Sequence, residues 1–280
     1  MAMKEFYECF EVSVGSGVAH IQLNRSDKAN SLTRAFWSEF PELLWELHRS
    51  GVVRACVLSA RGEVFCGGLD LSMFTNAPEF FASTAVEREA MALKLLQMQE
   101  AISTIESVRF PVIAAVQGAC IGGGFDLVAA CDVILASQDA SFRIEETNIG
   151  MMADLGILQR LPHLISPVVA RQLAFTGRTL RSDEAHRLGL IVDVFEDTQS
   201  LHDGAMQTAA AVSQKSPVAI ASIKRSFVYG RDHGVKDALE HAAHLQAAVL
   251  SGEDIVRTFQ AAKQADQPVY DSLKTLSKEF

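Results

Sequence analysis

Residues 111–124 read Pro-Val-Ile-Ala-Ala-Val-Gln-Gly-Ala-Cys-Ile-Gly-Gly-Gly, an apolar run that ends in a glycine-rich turn. Residues 62–71 read Gly-Glu-Val-Phe-Cys-Gly-Gly-Leu-Asp-Leu and follow a second apolar run. Glycines at a strand-to-helix turn let the backbone approach a ligand, and the following helix directs unpaired N–H groups outward. Two such loops could aim one N–H each at a single oxygen, which is an oxyanion hole. Tight turns without a ligand are the alternative interpretation.

Composition limits the classes of function. The chain has 280 residues, of which 49% are hydrophobic, and a formal net charge of -9, which argues against a general nucleic-acid binder. Five cysteines without a C-x-x-C pair favour a reducing compartment and disfavour disulfides and zinc. Neither glycine loop has a phosphate-binding pattern, and no apolar run reaches the ~18 residues of a membrane span. We therefore expect a cytoplasmic protein with no membrane contact.

The first 198 residues predict an α/β core. Alternating residues 10–14 and 18–23 predict a hairpin, and residues 33–48 predict a helix that Pro41 kinks or breaks. The next predicted elements are a strand at 52–58, a helical region at 78–108, strands at 112–116 and 132–136, and a helix that begins near Phe125.

Residues 199–280 predict a helical region with no strand between its alanine-rich segments. These segments are 205–212, 217–227 and 235–250, and Ser251 with Asp254 resembles a capping box at the start of a last helix. Their apolar faces are larger than is needed to cover the core of one subunit, so we expect this region to pack against neighbouring subunits.

Three carboxylates are candidates for chemistry. Asp126 follows the triple glycine, Glu146 lies 20 residues later, and Asp154 lies in the otherwise apolar stretch Met151–Gly156. A charge in an apolar setting is costly unless it is partnered or functional. Each residue also has a simpler interpretation, which is helix N-capping for the two aspartates and a solvated loop for Glu146.

The two loops together resemble the crotonase (enoyl-CoA hydratase/isomerase) superfamily. The same resemblance extends over residues 10–265 and includes the stretches Lys28-Ala29-Asn30-Ser31-Leu32, Leu158-Gln159-Arg160-Leu161-Pro162 and Lys215-Ser216-Pro217-Val218-Ala219. It implies a spiral of β-β-α units with a helical C-terminal trimerisation region, assembled as a homo-trimer or homo-hexamer.

The resemblance also implies the ligand and its contacts. The backbone N–H groups of Leu69 and Gly123 would bind the oxygen of an acyl-CoA thioester. No separate cofactor or metal is implied, because coenzyme A is part of the substrate. The residues implied to contact the coenzyme A or the substrate are Lys28, Ala29, Leu32, Cys66, Gly67, Gly68 and Asp70.

The acids resemble one branch of the superfamily. A typical hydratase has glutamate at position 126 and a Gly-Ala-Gly turn where this chain has Ala153-Asp154-Leu155-Gly156. The pattern here is similar to the branch that isomerises 3,5-dienoyl-CoA to 2,4-dienoyl-CoA in fatty-acid β-oxidation. It implies that Glu146 removes a proton from C2, that Asp154 returns one at C6, and that Asp126 lies close to Glu146. The alternatives are an enoyl-CoA hydratase and a non-catalytic acyl-CoA-binding paralogue.

Overall fold

Two β-sheets organise the residues that the computed structural model describes, which are 6–75 and 83–277. The strands are, in chain order, β1 (Phe10–Gly15), β2 (Val18–Leu23), β3 (Ala55–Ala60), β4 (Val112–Val116), β5 (Ala119–Ile121), β6 (Val133–Ser137), β7 (Ser141–Arg143), β8 (Leu180–Arg181) and β9 (Asp193–Phe195). Six strands form one sheet in the order β1-β2-β3-β4-β6-β9, and β5-β7-β8 form the other. In the large sheet only β1 runs antiparallel to its neighbour.

Eleven α-helices in the described part of the chain lie between the strands and after the last strand. They are α1 (Arg34–Ser50), α2 (Ser72–Thr75), α3 (Ala85–Ser107), α4 (Gly123–Ala129), α5 (Ile157–Leu164), α6 (Pro167–Thr176), α7 (Ser182–Arg187), α8 (Thr198–Ser213), α9 (Pro217–Asp232), α10 (Val235–Val249) and α11 (Gly252–Lys263). The units β1-β2-α1 and β4-β5-α4 each contain two strands and a helix, and β6 and β7 also precede helices. This order is a repeated β-β-α pattern.

Local signals predicted β1, β2, β3, β4 and β6, whereas the short strands β5, β7, β8 and β9 were not predicted. The hairpin is confirmed, with Ser16 and Gly17 at positive φ in its turn. Strand β4 has the predicted bounds, and β6 begins one residue late. Strand β3 begins at Ala55 rather than at residue 52, because Ala55 is the residue that pairs with Val18 at the start of β2.

Tertiary packing determines where the long helices begin and end. Pro41 was predicted to kink or break the helix, and the break is wrong, since α1 continues through Pro41 to Ser50. Buried side chains on both sides of the proline, among them Phe36, Leu43 and Leu47, hold the helix against the core. Part of the predicted helical region 78–108 lies outside the described residues, and the rest contains α3.

The C-terminal helices differ in what they cover. Helix α8 packs on the large sheet, because Leu201, Ala205 and Ala209 are fully buried against side chains such as Val57 and Ile113. Helix α8 therefore belongs to the core of the subunit. The prediction had placed these residues in the oligomerisation region, which began at residue 199. The division of the chain at residue 198 stays a prediction.

Helix α9 is attached to the body by a buried lysine. The Nζ atom of Lys224 donates to the carbonyl oxygens of Ile105 and Phe110 at 2.6 and 3.0 Å and to Asp132 Oδ2 at 2.7 Å. At the start of α11, Ser251 Oγ accepts from the N–H of Asp254 at 3.2 Å, which is one half of the predicted capping box. Among the described residues, no helix is both long and apolar enough to cross a membrane.

Candidate active site

The two glycine loops lie side by side. The N–H of Cys66 donates to the carbonyl of Ala119 at 3.1 Å, and the N–H of Ile121 donates to the carbonyl of Cys66 at 2.9 Å. A Cβ at Gly124 would lie 2.7 Å from the Cβ of Cys66, so glycine is required for this close approach. The fold thus brings together two stretches that are more than fifty residues apart in sequence.

The amides of Leu69 and Gly123 lie where these loops meet. Leu32 donates to the carbonyl of Gly68 at 2.8 Å and accepts from the N–H of Asp70 at 3.0 Å. In such a parallel bridge the intervening residue, Leu69, directs its own N–H away from Leu32. Gly123 is the first residue of α4, so its N–H has no acceptor within the helix. An added Cβ on Gly123 would lie 3.7 Å from Leu69 Cδ1, so the two residues are neighbours.

A cleft of ≈ 850 Å³ opens beside the first loop. Of the residues expected to contact coenzyme A or the substrate, those that line this cleft are Lys28, Ala29, Gly67 and Asp70. Leu32 and Cys66 are buried beneath the surface, where the thiol of Cys66 contacts the carbonyl of Asn30 at 3.3 Å. Gly68 adopts φ +93, and a Cβ there would lie 3.0 Å from the carbonyl oxygen of Ile121. Leu32, Cys66 and Gly68 therefore support the first glycine loop and do not line the cleft.

Asp70 has a different environment from the three candidate acids. Its Oδ1 accepts from Ser72, and its Oδ2 accepts from Ser31 Oγ at 2.7 Å and from Arg25 Nη1 at 3.2 Å. These hydrogen bonds, those from Ser72 and Ser31 first, hold the pKa of Asp70 well below its usual range. Asp70 therefore organises the cleft as a permanent anion and is a poor proton acceptor.

Asp126 lies inside α4 and is fully buried. Its Oδ1 accepts from the N–H of Ile157 at 2.6 Å, while Oδ2 has no hydrogen-bond partner among the described residues. Ile157 is the first residue of α5, so Asp126 caps a helix 31 residues away rather than its own helix. Asp126 does cap a helix, as the simpler interpretation predicted, but the helix is α5 and not the one that follows the triple glycine.

Glu146 begins a 3₁₀ turn, Glu146–Ile149, and is only 7% exposed, so the solvated-loop interpretation is wrong. Its Oε2 is buried and accepts no hydrogen bond from any described residue. A Cβ at Gly122 would lie 2.9 Å from Glu146 Oε1. The carboxyl group of Glu146 is therefore in contact with the second glycine loop, next to Gly123.

Asp154 is partly buried in the segment that leads into α5. The N-cap of α5 is Gly156, at φ +121, so Asp154 is not the capping residue. The carbonyl oxygen of Asp154 accepts from Gln99 Nε2 at 2.7 Å, which ties its backbone to α3. The side chain itself makes no salt bridge with a described residue.

Burial raises the pKa values of all three acids. The pKa of Asp126 rises from 3.8 to about 8, mainly through burial and then through the charge of Glu146. Burial and the charge of Asp154 raise the pKa of Glu146, and burial raises that of Asp154. The fold therefore gathers three carboxyl groups that interact electrostatically, in surroundings that favour their protonated forms.

Two contacts beside the candidate site were missed at the sequence level. Gln99 contacts the Asp154 segment from the middle of α3, and Arg160 forms a bidentate pair with Glu106. Gln99 carries no local signal in its helix, and Arg160 drew attention only as part of a family motif. Only the tertiary structure brings α3 against the start of α5.

Two glycine loops meet beside three carboxyl groups that are buried or partly buried, an arrangement that suits acid–base chemistry. The family described as "Enoyl-CoA hydratase/isomerase" matches residues 13–272. The chain belongs to the enoyl-CoA hydratase/isomerase family. This confirms the predicted fold class, a crotonase-like α/β spiral, and the predicted class of enzyme.

Individual relatives agree with the family. The human protein "Delta(3,5)-Delta(2,4)-dienoyl-CoA isomerase, mitochondrial" is 39% identical over 262 residues, which are 92% of this chain and 80% of the human one. The peroxisomal protein of that name from Arabidopsis thaliana is 35% identical over 275 residues, 96% and 99% of the two chains. The crystal structure of enoyl-CoA hydratase from Bacillus anthracis has a TM-score of 0.85 at 28% identity and covers 94% of this chain and 99% of that one.

Proposed function

We propose that this protein converts 3,5-dienoyl-CoA into 2,4-dienoyl-CoA in fatty-acid β-oxidation. One observation carries the proposal: Glu146, Asp154 and Asp126 are gathered in one site, and two of them keep a buried oxygen without a hydrogen-bond partner in the described structure. Unpaired buried carboxyl groups are costly and are typical of functional sites. The printed activity of the human and Arabidopsis relatives supports the same reaction.

The proposed reaction consists of two proton transfers. The thioester acidifies C2, Glu146 takes the C2 proton, and the electron pair spreads over C2, C4, C6 and the thioester oxygen. The N–H groups of Leu69 and Gly123 hold this oxygen as it gains negative charge. Asp154 then donates its proton to C6, which leaves double bonds at C2 and C4. Glu146 finally releases its proton to solvent and Asp154 takes one up, so both groups return to their starting states. The substrate loses one proton and gains one, so no metal or redox cofactor is needed.

Two acids suit this chemistry better than one. C2 and C6 are several bonds apart, so a single rigid carboxylate is poorly placed to reach both. The raised pKa of Asp154 favours the protonated form that a donor needs. With a pKa of about 8, Asp126 is mostly neutral at pH 7, which leaves Glu146 as the base beside a neutral neighbour. The role of Asp126 is therefore electrostatic and structural.

We also propose where coenzyme A binds. The cleft beside the first loop runs from Lys28 and Ala29 to Gly67 and Leu69, and so leads to the proposed oxyanion hole. The ammonium group of Lys28 would attract the phosphates of the nucleotide part. Gly67 donates its N–H to the carbonyl of Ala29 at 2.8 Å, so these two residues lie side by side along the proposed path of the pantetheine arm.

A direct assay tests the proposed reaction. Purified protein is incubated with a 3,5-dienoyl-CoA, and the absorbance of the conjugated 2,4-dienoyl product is followed, with hydration of a 2-enoyl-CoA measured in parallel. Formation of the conjugated diene at a rate well above hydration supports the proposal. Hydration alone would identify a hydratase, and binding without turnover would identify a non-catalytic paralogue.

The expected assembly is a homo-trimer or homo-hexamer. Helices α9 to α11 present large apolar side chains to solvent, among them Phe227 at 76%, Leu239 at 66% and Phe259 at 67% exposure. Exposed apolar surface of this kind is typical of subunit interfaces. Light scattering at micromolar concentration should give a mass of three or six chains, and a monomer would contradict this expectation.

The cytoplasm remains the expected compartment. All five cysteines are free thiols, which suits a reducing compartment. The names of the relatives give mitochondria and peroxisomes for those proteins. Fractionation of the source cells, with an antibody against this chain, distinguishes the three.

A further inference from the structure

One face of α3 carries polar side chains, whereas most of the buried side chains of this helix are apolar. Gln99, Ser103 and Glu106 are spaced by four and three residues, so they lie on the same side of the helix. We call these three residues the α3 polar face. All three contact the segment from Asp154 to Arg160, which contains one of the proposed acids and the start of α5.

The contact from Gln99 is to the backbone of a proposed acid. Gln99 Nε2 donates to the carbonyl oxygen of Asp154 at 2.7 Å, a short and partly buried hydrogen bond. Asp154 lies outside regular secondary structure, between the 3₁₀ turn that ends at Ile149 and the start of α5. Since no helix or strand fixes the backbone here, this hydrogen bond directly restrains the position from which the side chain of Asp154 extends.

The other two contacts hold the start of α5. Arg160 Nε and Nη2 donate to the two oxygens of Glu106 at 2.9 and 3.1 Å, and Nη2 also donates to Ser103 Oγ at 2.9 Å. Both side chains of the ion pair are nearly buried, with 11% and 14% exposure. A Cβ at Gly156 would lie 2.0 Å from Arg160 Nη1, so the guanidinium packs directly on the turn that follows Asp154.

We propose that the α3 polar face is the positioning element for Asp154, with Gln99 as the residue that sets where the acid meets C6 of the substrate. This rests on the proposed function. Glu146 does not depend on this face, because it lies on the 3₁₀ turn and contacts the glycine loop instead. Loss of Gln99 should therefore slow the return of the proton at C6 and leave its removal from C2 almost unaffected.

The test is Gln99→Met, which keeps the length of the side chain and removes the donor. The matched control is Gln97→Met, an exposed position two residues away on the same helix. Because a displacement of about 1 Å at a catalytic group can cost up to ~10²-fold, we expect Gln99→Met to lower kcat about tenfold with KM nearly unchanged. Gln97→Met should stay within about twofold of the wild type.

Isotope effects separate positioning from general damage. With protonation at C6 made rate-limiting, the kinetic isotope effect of substrate deuterated at C2 should fall, and the solvent isotope effect in D₂O should rise. An unchanged kcat would overturn the proposal, as would a lower kcat with both isotope effects unchanged. Gln99→Glu, which also lacks the donor at neutral pH, is measured in the same way, so a poorly folded Gln99→Met does not leave the question open. A wild type that forms no 2,4-diene would refute the proposed function instead.

Discussion

Glu106 and Glu146 are two glutamates withdrawn from solvent whose surroundings act on them in opposite directions. Burial acts to raise the pKa of Glu106, but hydrogen bonds from Arg160 and Arg231 outweigh it and lower the pKa. Burial also raises the pKa of Glu146, and there no cation opposes it. One oxygen of Glu146 has no partner among the described residues, whereas both oxygens of Glu106 accept hydrogen bonds.

The difference separates a structural carboxylate from a candidate catalytic one. Glu106 links α3 to Arg160 of α5 and Arg231 of α9, so its charge holds three helices together. Glu146 forms no side-chain ion pair with a described residue, and burying a carboxylate without a partner is costly. Burial without a partner suits a carboxylate that must accept a proton from a substrate, because a raised pKa makes it a stronger base.

The largest expected effect is on catalysis at Glu146. Glu146→Gln keeps the shape of the side chain and removes the base, so kcat for 3,5-dienoyl-CoA should fall roughly 10²-fold or more. The matched control is Glu145→Gln, at a neighbouring residue that pairs with Arg143 and should keep activity within about threefold. Steady-state kinetics on both variants measures this. Equal losses of kcat in both variants would contradict a specific role of Glu146 as the base.

The next effect is on stability at Glu106. Glu106→Gln breaks a nearly buried ion pair and leaves Arg160 without its anion, so unfolding should become easier by about 2 kcal/mol. The midpoint of urea unfolding measures this, with Glu100→Gln at an exposed position of α3 as the control. Unchanged midpoints in both variants would mean that the Glu106–Arg160 pair does not hold the helices together.

The smallest catalytic effect is expected at Asp126. Asp126→Asn retains an oxygen that can accept from the N–H of Ile157, so activity should fall by less than about tenfold, below the loss typical of a missing acid or base. The measurement is kcat at pH 7. A loss as large as that of Glu146→Gln would make Asp126 a direct participant in proton transfer.

Asp126 should also make stability depend on pH. Its pKa is raised from 3.8 to about 8 in the folded protein, so the folded state binds this proton more tightly than the unfolded state does. Stability from this group is complete below about pH 4 and is lost as pH rises through about 8. Asparagine does not titrate, so Tm of Asp126→Asn relative to the wild type should rise by roughly 10 °C across this range. Parallel Tm profiles would contradict the raised pKa.

Local signals predicted the scaffold of the site. The apolar run at residues 112–116 and the glycines after it need only local conformational rules, and β4 has the predicted bounds. The positive φ of Gly68 and Gly122 likewise follows from what only glycine adopts readily. The family resemblance then supplied the expectation that Asp126, Glu146 and Asp154 share a site.

Long-range contacts account for what the sequence did not predict. The partner of Asp126 is an amide 31 residues away, which no spacing rule identifies. Gln99 is one of many polar residues on α3, and only its distance of 2.7 Å to the Asp154 carbonyl distinguishes it. Helix α8 has the alanine-rich pattern of a peripheral helix, yet its apolar face covers the large sheet. In each case the decisive partner belongs to another element.

The most direct test of the two-acid account is the Asp154→Asn variant with 3,5-dienoyl-CoA in D₂O. The account predicts that formation of the 2,4-diene falls roughly 10²-fold or more, while Glu146 continues to exchange the C2 protons of the substrate for deuterium. Diene formation is followed by absorbance, and exchange is followed by the mass of the recovered substrate. Full isomerase activity in Asp154→Asn would contradict the account, because a single base would then suffice.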